Sequence, residues 1–150
     1  MDVTATMDAP GSARRLFDLV DRLDHYPEWM PLTHRVQPAG TDPQGRPAWT
    51  VELRARMGPF ARSKQLRMVR TVHESDLGHV RFERAELDAR SHSPWVLDAT
   101  VSTSIDGASS LVMRLHYGGA LWTGGVMERV LADQIVAGRE RLLELVGDRP

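Results

Sequence analysis

The sequence predicts an α+β fold: a curved antiparallel sheet of about seven strands, with two short helices near its start and one long C-terminal helix over an internal cavity. Three observations lead there. Apolar and polar residues alternate with a period of two across most of the stretch from Trp49 to Tyr117, the pattern of strands with one covered and one wet face. From Thr123 to Val146 the period changes to that of a helix, with Met127, Val130, Leu131, Ile135, Leu142 and Leu145 on one side. Within that apolar side stand Gln134 and Gly138. A helical glycine costs about 1 kcal/mol relative to alanine and a buried, unpartnered amide a few more, so plain core packing does not account for either residue. A helix closing over a cavity does, and Gly138→Leu is then expected to reduce ligand capacity more than it reduces stability, because the added side chain projects into the cavity while helix propensity improves.

The elements follow in order. Val3, Ala5 and Met7 alternate with Thr4, Thr6 and Asp8 in a half-buried strand that stops at Ala9-Pro10. Ser12 is placed to cap a short helix bearing Leu16, Phe17, Leu19, Val20 and Leu23. In the segment His25 to Pro31, two prolines four apart limit any helix to about one turn. A short strand near His34 to Gln37 precedes a turn-rich loop from Ala39 to Pro47. Trp49, Val51, Leu53, Ala55 and Met57 share a face of the next strand; Leu66, Met68, Arg70 and Val72 share a face of the one after; Val80, Phe82, Arg84 and Glu86 continue the series beyond a turn at Asp76 to Gly78. The last hairpin sets Trp95, Leu97, Ala99, Val101 and Thr103 against Leu111, Met113, Leu115 and Tyr117. Parity then requires an odd loop, which Ile105-Asp106-Gly107 satisfies with Gly107 left-handed.

Composition sets the outer bounds. A chain of 150 residues suits a single domain spanning 1–150, without repeats or a linker. The absence of cysteine excludes disulfides, Fe–S clusters and thiolate zinc sites, and points to a reducing, cytoplasmic compartment. No membrane span or signal segment stands out. A net charge of −1 argues against nucleic acid, although Arg54, Arg56, Arg62, Lys64, Arg67 and Arg70 make the stretch from Glu52 to Arg70 strongly basic. That stretch reads either as a solvated sheet face or as a dock for an anionic partner. Arginine in great excess over the single lysine, with no asparagine, suggests a GC-rich bacterial source. The six histidines are scattered, and Leu77 stands where a second ligand would complete His73-Glu74 as a zinc motif, so neither metal nor cofactor is expected. Gly119 to Gly124 lacks the P-loop lysine.

The element order resembles the START/Bet v 1-like helix-grip superfamily. Ala9-Pro10, Phe17, Tyr26-Pro-x-Trp29-x-Pro31, Trp95 and the glycine-rich lead-in Gly118 to Gly125 are similar to the bacterial polyketide cyclase/dehydrase and lipid-transport-like branch. The resemblance implies a sheet gripping the long helix around a hydrophobic cavity. It implies no reaction, because members include carriers, aromatase/cyclases, oxygenase domains and chaperone-associated domains without a shared catalytic motif.

Candidate cavity residues are Trp49, Phe82, Trp95, Met113, Met127 and Leu131 as wall, with Gly138 on the apolar side of the last helix and Arg70, Arg84, Glu86 and Gln134 as polar groups in inward phase. Pairing near 72 with 80 puts Arg70 and Arg84 one diagonal step apart. A buried guanidinium needs a partner, so Glu86, a ligand anion or solvent at the sheet edge must answer it. The leading expectation is a non-enzymatic carrier of a small hydrophobic molecule with one polar end, which Arg84 would anchor. The alternatives are a polyketide cyclase/aromatase, with Glu86 or Arg84 assisting and an acidic carrier protein on the basic stretch, and a chaperone-like interaction module. No catalytic residue, ligand identity or oligomeric state follows from the residues.

Overall fold

A computed structural model describes residues 2–57, 59–103, 106–118 and 126–147, with the side chains of 57, 126–132 and 135 outside the described set. The strands β1 (Asp2–Ala9), β2 (Thr33–Thr41), β3 (Pro47–Met57), β4 (Phe60–Glu74), β5 (His79–Arg84), β6 (Trp95–Thr103) and β7 (Ser109–Tyr117) form one antiparallel sheet in the order β1-β7-β6-β5-β4-β3-β2. Helix α1 (Ala13–Val20) and a 3-10 helix (Leu23–Glu28) connect β1 to β2, and α2 (Val126–Gly147) follows the sheet. The core lies between the sheet's concave face and these helices, where Leu16, Val20, Tyr26, Val80, Phe82 and Leu142 are among its most buried members. This is the helix-grip architecture.

The expected registers hold through most of the sheet. Trp95 pairs with Tyr117, Ala99 with Met113 and Val101 with Leu111, and Gly107 is left-handed at φ +85°. The turn residues Ser104 and Ile105 lie outside the described residues. Arg70 pairs with Phe82 and Met68 with Arg84, which is the diagonal placement of the two arginines read from the alternation. Beyond Arg70 a bulge shifts the pairing to Val72 with Arg81 and brings His73 opposite Val80. His73 then stacks on Phe17, with ring centroids 5.8 Å apart. Gly78 closes the β4–β5 turn at φ +65°, and a Cβ there would stand 2.3 Å from the Val101 carbonyl oxygen, so only glycine allows β6 to approach.

Two boundaries differ from expectation. β2 runs to Thr41, well into the stretch read as loop, because register shifts between Thr33 and Arg35 and between Pro38 and Thr41 absorb the residues that break alternation. The turn that remains is tied by Asp42, whose carboxylate accepts from the Gln44 and Arg46 amides and pairs with the Arg46 guanidinium at 2.7 Å. β5 ends at Arg84, so Glu86 stands beyond the strand instead of on its face.

Ser12 caps α1 as expected, accepting from the Arg15 amide. The other end explains the motif that follows it. The last carbonyls of a helix have no partner within it. Here Asp18 O lies 2.8 Å from His25 Nδ1, Leu19 O accepts from Trp29 Nε1 at 2.9 Å, Val20 O from the Tyr26 hydroxyl at 2.9 Å, and Asp21 O from Arg70 Nη1 at 2.9 Å. His25, Tyr26 and Trp29 therefore fold back on the helix they follow. Arg70 reaches the same end from the sheet, so its guanidinium also answers the negative pole of the helix.

Candidate functional site

Between the concave face and the 3-10 segment lies a cavity of about 110 Å³. Its described walls are Val3 and Ala5 of β1, Val51 and Leu53 of β3, Leu66 and Met68 of β4, Trp95 and Leu97 of β6, Met113 and Leu115 of β7, and Leu23, Tyr26, Met30, Leu32 and Thr33 from the connection above. A second chamber of about 40 Å³ shares Ala5, Met30 and Met113 with it and reaches α2 at Gln134, Gly138, Arg139 and Leu142. Alternation produces the sheet wall, since each strand lends this space its inward residues.

The walls are chemically quiet. Tyr26 and Thr33 are the larger cavity's two described residues with side-chain hydroxyls, and both hydroxyls are spent: Tyr26 donates to Val20 O at 2.9 Å and Thr33 to Met30 O at 2.6 Å. Burial, reinforced by the nearby Asp21 charge, pushes the Tyr26 phenol far above its ordinary range, so it stays protonated at neutral pH. No histidine, carboxylate, lysine or arginine is among the described wall residues of the larger cavity. General acid–base catalysis needs such a group within hydrogen-bond reach of the substrate. Among the described residues no group of three or more metal-ligating side chains comes together.

Trp95 and Met113 line the larger cavity, with Trp95 stacked on Tyr117 at 5.1 Å and its Nε1 buried without a hydrogen-bond partner. Gln134 and Gly138 line the smaller chamber, and Gln134 Oε1 is likewise buried and unpartnered. Gly138 also stands close to Trp29: a Cβ there would lie 3.2 Å from the Trp29 carbonyl oxygen and 3.4 Å from its ring. Gly138→Leu therefore needs Trp29 or the helix to give way by a few tenths of an ångström. The side chains of Met127 and Leu131 lie outside the described residues.

The remaining candidates sit elsewhere. Trp49 and Phe82 meet edge to face at 5.7 Å in the core, and Trp49 Nε1 donates to Asp24 at 3.1 Å; neither is among the described residues lining the two chambers. Arg70 lies over Trp49, 5.9 Å from the ring, and its bond to Asp21 O makes it a clamp on α1. Arg84 faces inward from β5 but ends in a polar corner, with its side chain only 9% exposed. Its Nε donates to Glu86 at 3.0 Å, Nη1 to Ser93 O at 3.2 Å, and Nη2 lies 3.3 Å from His92 Nδ1. Glu86 also accepts from the Arg67 amide at 3.0 Å. The expectation that Arg84 anchors a ligand is corrected accordingly: its donors are taken by the loop from 85 to 94, because the chain turns back over the strand end and places Glu86 where a ligand anion was expected.

Most of the larger cavity's wall was missed among the candidates, Tyr26, Met30, Leu53, Leu66, Leu97 and Leu115 included. Alternation already marked the four leucines as inward; nothing in a lone methionine between two prolines marked Met30.

Comparison with known proteins agrees with this architecture. The START superfamily protein from Mycobacterium smegmatis superposes with a TM-score of 0.69 at 14% identity, covering 98% of this chain and 97% of that one. An aromatase/cyclase, Zhui, from Streptomyces sp. R1128 gives 0.69 at 14% identity over 99% and 94% of the two chains. The di-domain ARO/CYC StfQ of the steffimycin biosynthetic pathway gives 0.66 at 16%, with 96% of this chain covering 45% of that one. No curated protein matches by sequence. At such identities the likenesses establish the fold. The sequence profile described as "Polyketide cyclase / dehydrase and lipid transport" matches residues 1–147, and with the gripped helix and the apolar cavity in place, the chain belongs to that family.

Proposed function

We propose that the protein binds and carries a small hydrophobic molecule in the cavity between the sheet and its helices. The observation that carries this reading is the wall itself: fifteen described residues surround the larger space, and neither of the two hydroxyls among them is free to donate. An apolar cavity of this kind stays dry and gains by admitting apolar atoms. Its size suits a ring or a short stretch of acyl chain, well below the roughly 300 Å³ of a drug-sized pocket. A longer ligand enters by displacing Met30, Met68 and Met113, whose unbranched side chains repack cheaply. Gln134 supports a single polar contact at the α2 end, its free oxygen accepting from a ligand hydroxyl.

Ala5 touches both chambers and stands on an edge strand, so Ala5→Leu adds three carbons to the shared space with little strain. Titration with the neutral fluorophore N-phenyl-1-naphthylamine is expected to show saturable binding that this variant weakens about tenfold, or about 1.4 kcal/mol. Equal affinity in wild type and variant overturns the cavity as the site. The fold shared with aromatase/cyclases favours a second reading, cyclisation of a polyketide. Native mass spectrometry separates the two: a carrier returns an added ligand at unchanged mass, whereas a cyclase returns it minus water.

A further inference from the structure

The β3–β4 hairpin outruns the sheet that carries it. β2 pairs with β3 no further than Leu53, and β4 meets β5 only from Met68 onward, so within the sheet residues 54 to 63 pair only with each other. On this arm Leu53 faces Lys64 and Ala55 faces Arg62, while Arg54 faces Ser63 and Arg56 faces Ala61. Directly paired residues share a face. Lys64 and Arg62 therefore project on the cavity side and Arg54 and Arg56 on the opposite side. At the tip, paired with Met57, stands Phe60, 72% exposed.

Seven arginines elsewhere have internal partners. Arg22, Arg46, Arg81, Arg84 and Arg141 pair with carboxylates, and Arg67 and Arg70 donate to carbonyls. None of the Arg54, Arg56, Arg62 and Lys64 side chains has an ion-pair or hydrogen-bond partner among the described residues, and no acidic residue lies between Glu52 and Glu74. With a net charge of −1 for the chain and +4 on the arm, the remainder carries −5. That separation turns the arm toward any anionic surface.

We infer that the tip of this hairpin docks on an anionic lipid surface. Two features favour lipid over an acidic protein. The cations lie on both faces of a two-stranded ribbon, which suits a headgroup layer surrounding the arm; a protein surface meets one face. An exposed aromatic ring at the very tip suits the boundary between headgroups and acyl chains. The docking stands independently of the cavity reading, although Lys64 and Arg62 continue the face of the cavity-lining Leu66 and so place headgroup and cavity on one side of the sheet.

The test is sedimentation of the full chain with vesicles of phosphatidylcholine alone or mixed with phosphatidylglycerol, at low and high salt. Binding is expected only to the mixed vesicles, reversed by salt. Arg54→Gln with Arg56→Gln, and separately Arg62→Gln with Lys64→Gln, should each weaken it roughly 25-fold, from about five-fold per cation. Phe60→Ser should weaken it further, whereas Leu77→Ser, an equally exposed apolar residue at the opposite end of β4, should not. No binding, equal binding to neutral vesicles, or sensitivity to only one cation pair overturns the proposal; the last is the signature of a flat acidic protein partner. N-phenyl-1-naphthylamine binding, measured alongside, should be unchanged in every arm variant. Vesicle binding without fluorophore binding would sink the cavity reading and leave the docking in place.

Discussion

The corner around Arg84 and the arm around Arg62 are both rich in cations, yet they end in opposite states. At the corner, Arg84, Glu86, His92, Asp88 and the Arg67 amide form a closed set in which nearly every donor finds an acceptor inside the protein. On the arm, four cations project without a partner. The difference follows from what surrounds each. A guanidinium nearly out of water loses several kcal/mol of hydration and persists only where acceptors replace it. An exposed one keeps its water and costs nothing to leave open. Unpaired charge in the wet arm is thus free for an external anion, while paired charge in the dry corner is committed to structure.

That contrast can be broken in order of expected effect. Arg84→Met strands Glu86 in its half-buried corner and should destabilise the fold by about 3 kcal/mol in urea unfolding, while N-phenyl-1-naphthylamine affinity stays unchanged. A loss of ligand affinity without loss of stability would return Arg84 to the binding site. Arg70→Met removes the bond to Asp21 O and is expected to cost about 1–2 kcal/mol, again without an effect on the fluorophore. Thermal unfolding of that variant at wild-type temperature would show that the α1 clamp is ornamental.

The third test uses pH. Burial acts to raise the Asp98 carboxyl, but hydrogen bonds from His79 at 2.8 Å and Arg81 at 2.9 Å outweigh it and hold the group below the ordinary carboxylate range. A depressed carboxyl contributes stability above its unfolded pKa, near 4, and loses that contribution as the pH falls through the folded value. Asp98→Asn should therefore cost about 1 kcal/mol at neutral pH and flatten the decline below about pH 4. Parallel acid limbs in the two proteins would assign the decline to other carboxylates. The smallest effect belongs to the arm: replacing Arg54, Arg56, Arg62 and Lys64 with glutamine should shift stability by no more than about 0.5 kcal/mol. A larger shift would mean that the arm's cations also serve the fold.

Much of the site's scaffold was legible. Period-two alternation identified the inward residues of β1, β3, β4, β6 and β7, and parity set the register of the last hairpin, because a strand's faces are decided by local backbone geometry. Gln134 and Gly138 were legible as misfits because a helical stripe makes exceptions conspicuous. Glu86 stood among the expected partners of a buried guanidinium, but the backbone partners were not legible. Arg70 is answered by a carbonyl 49 residues earlier, and every backbone has carbonyls, so no side-chain pattern announces which one will be free. Glu86 looked like a strand residue until the chain's turn after Arg84 carried it across to Arg67 and Arg84.

By itself, then, the sequence determined the fold class, the order of its elements, the faces of its strands and the surplus of cations between Glu52 and Arg70, since all of these rest on spacing along the chain. Only the tertiary structure decided which inward arginines already had partners, that Gly138 lies against Trp29, and that both hydroxyls in the wall of the larger space are spent while the Trp95 Nε1 is left unpartnered. Those depend on which groups meet across the fold, and a polar group's role is settled by the partner it finds once water is excluded.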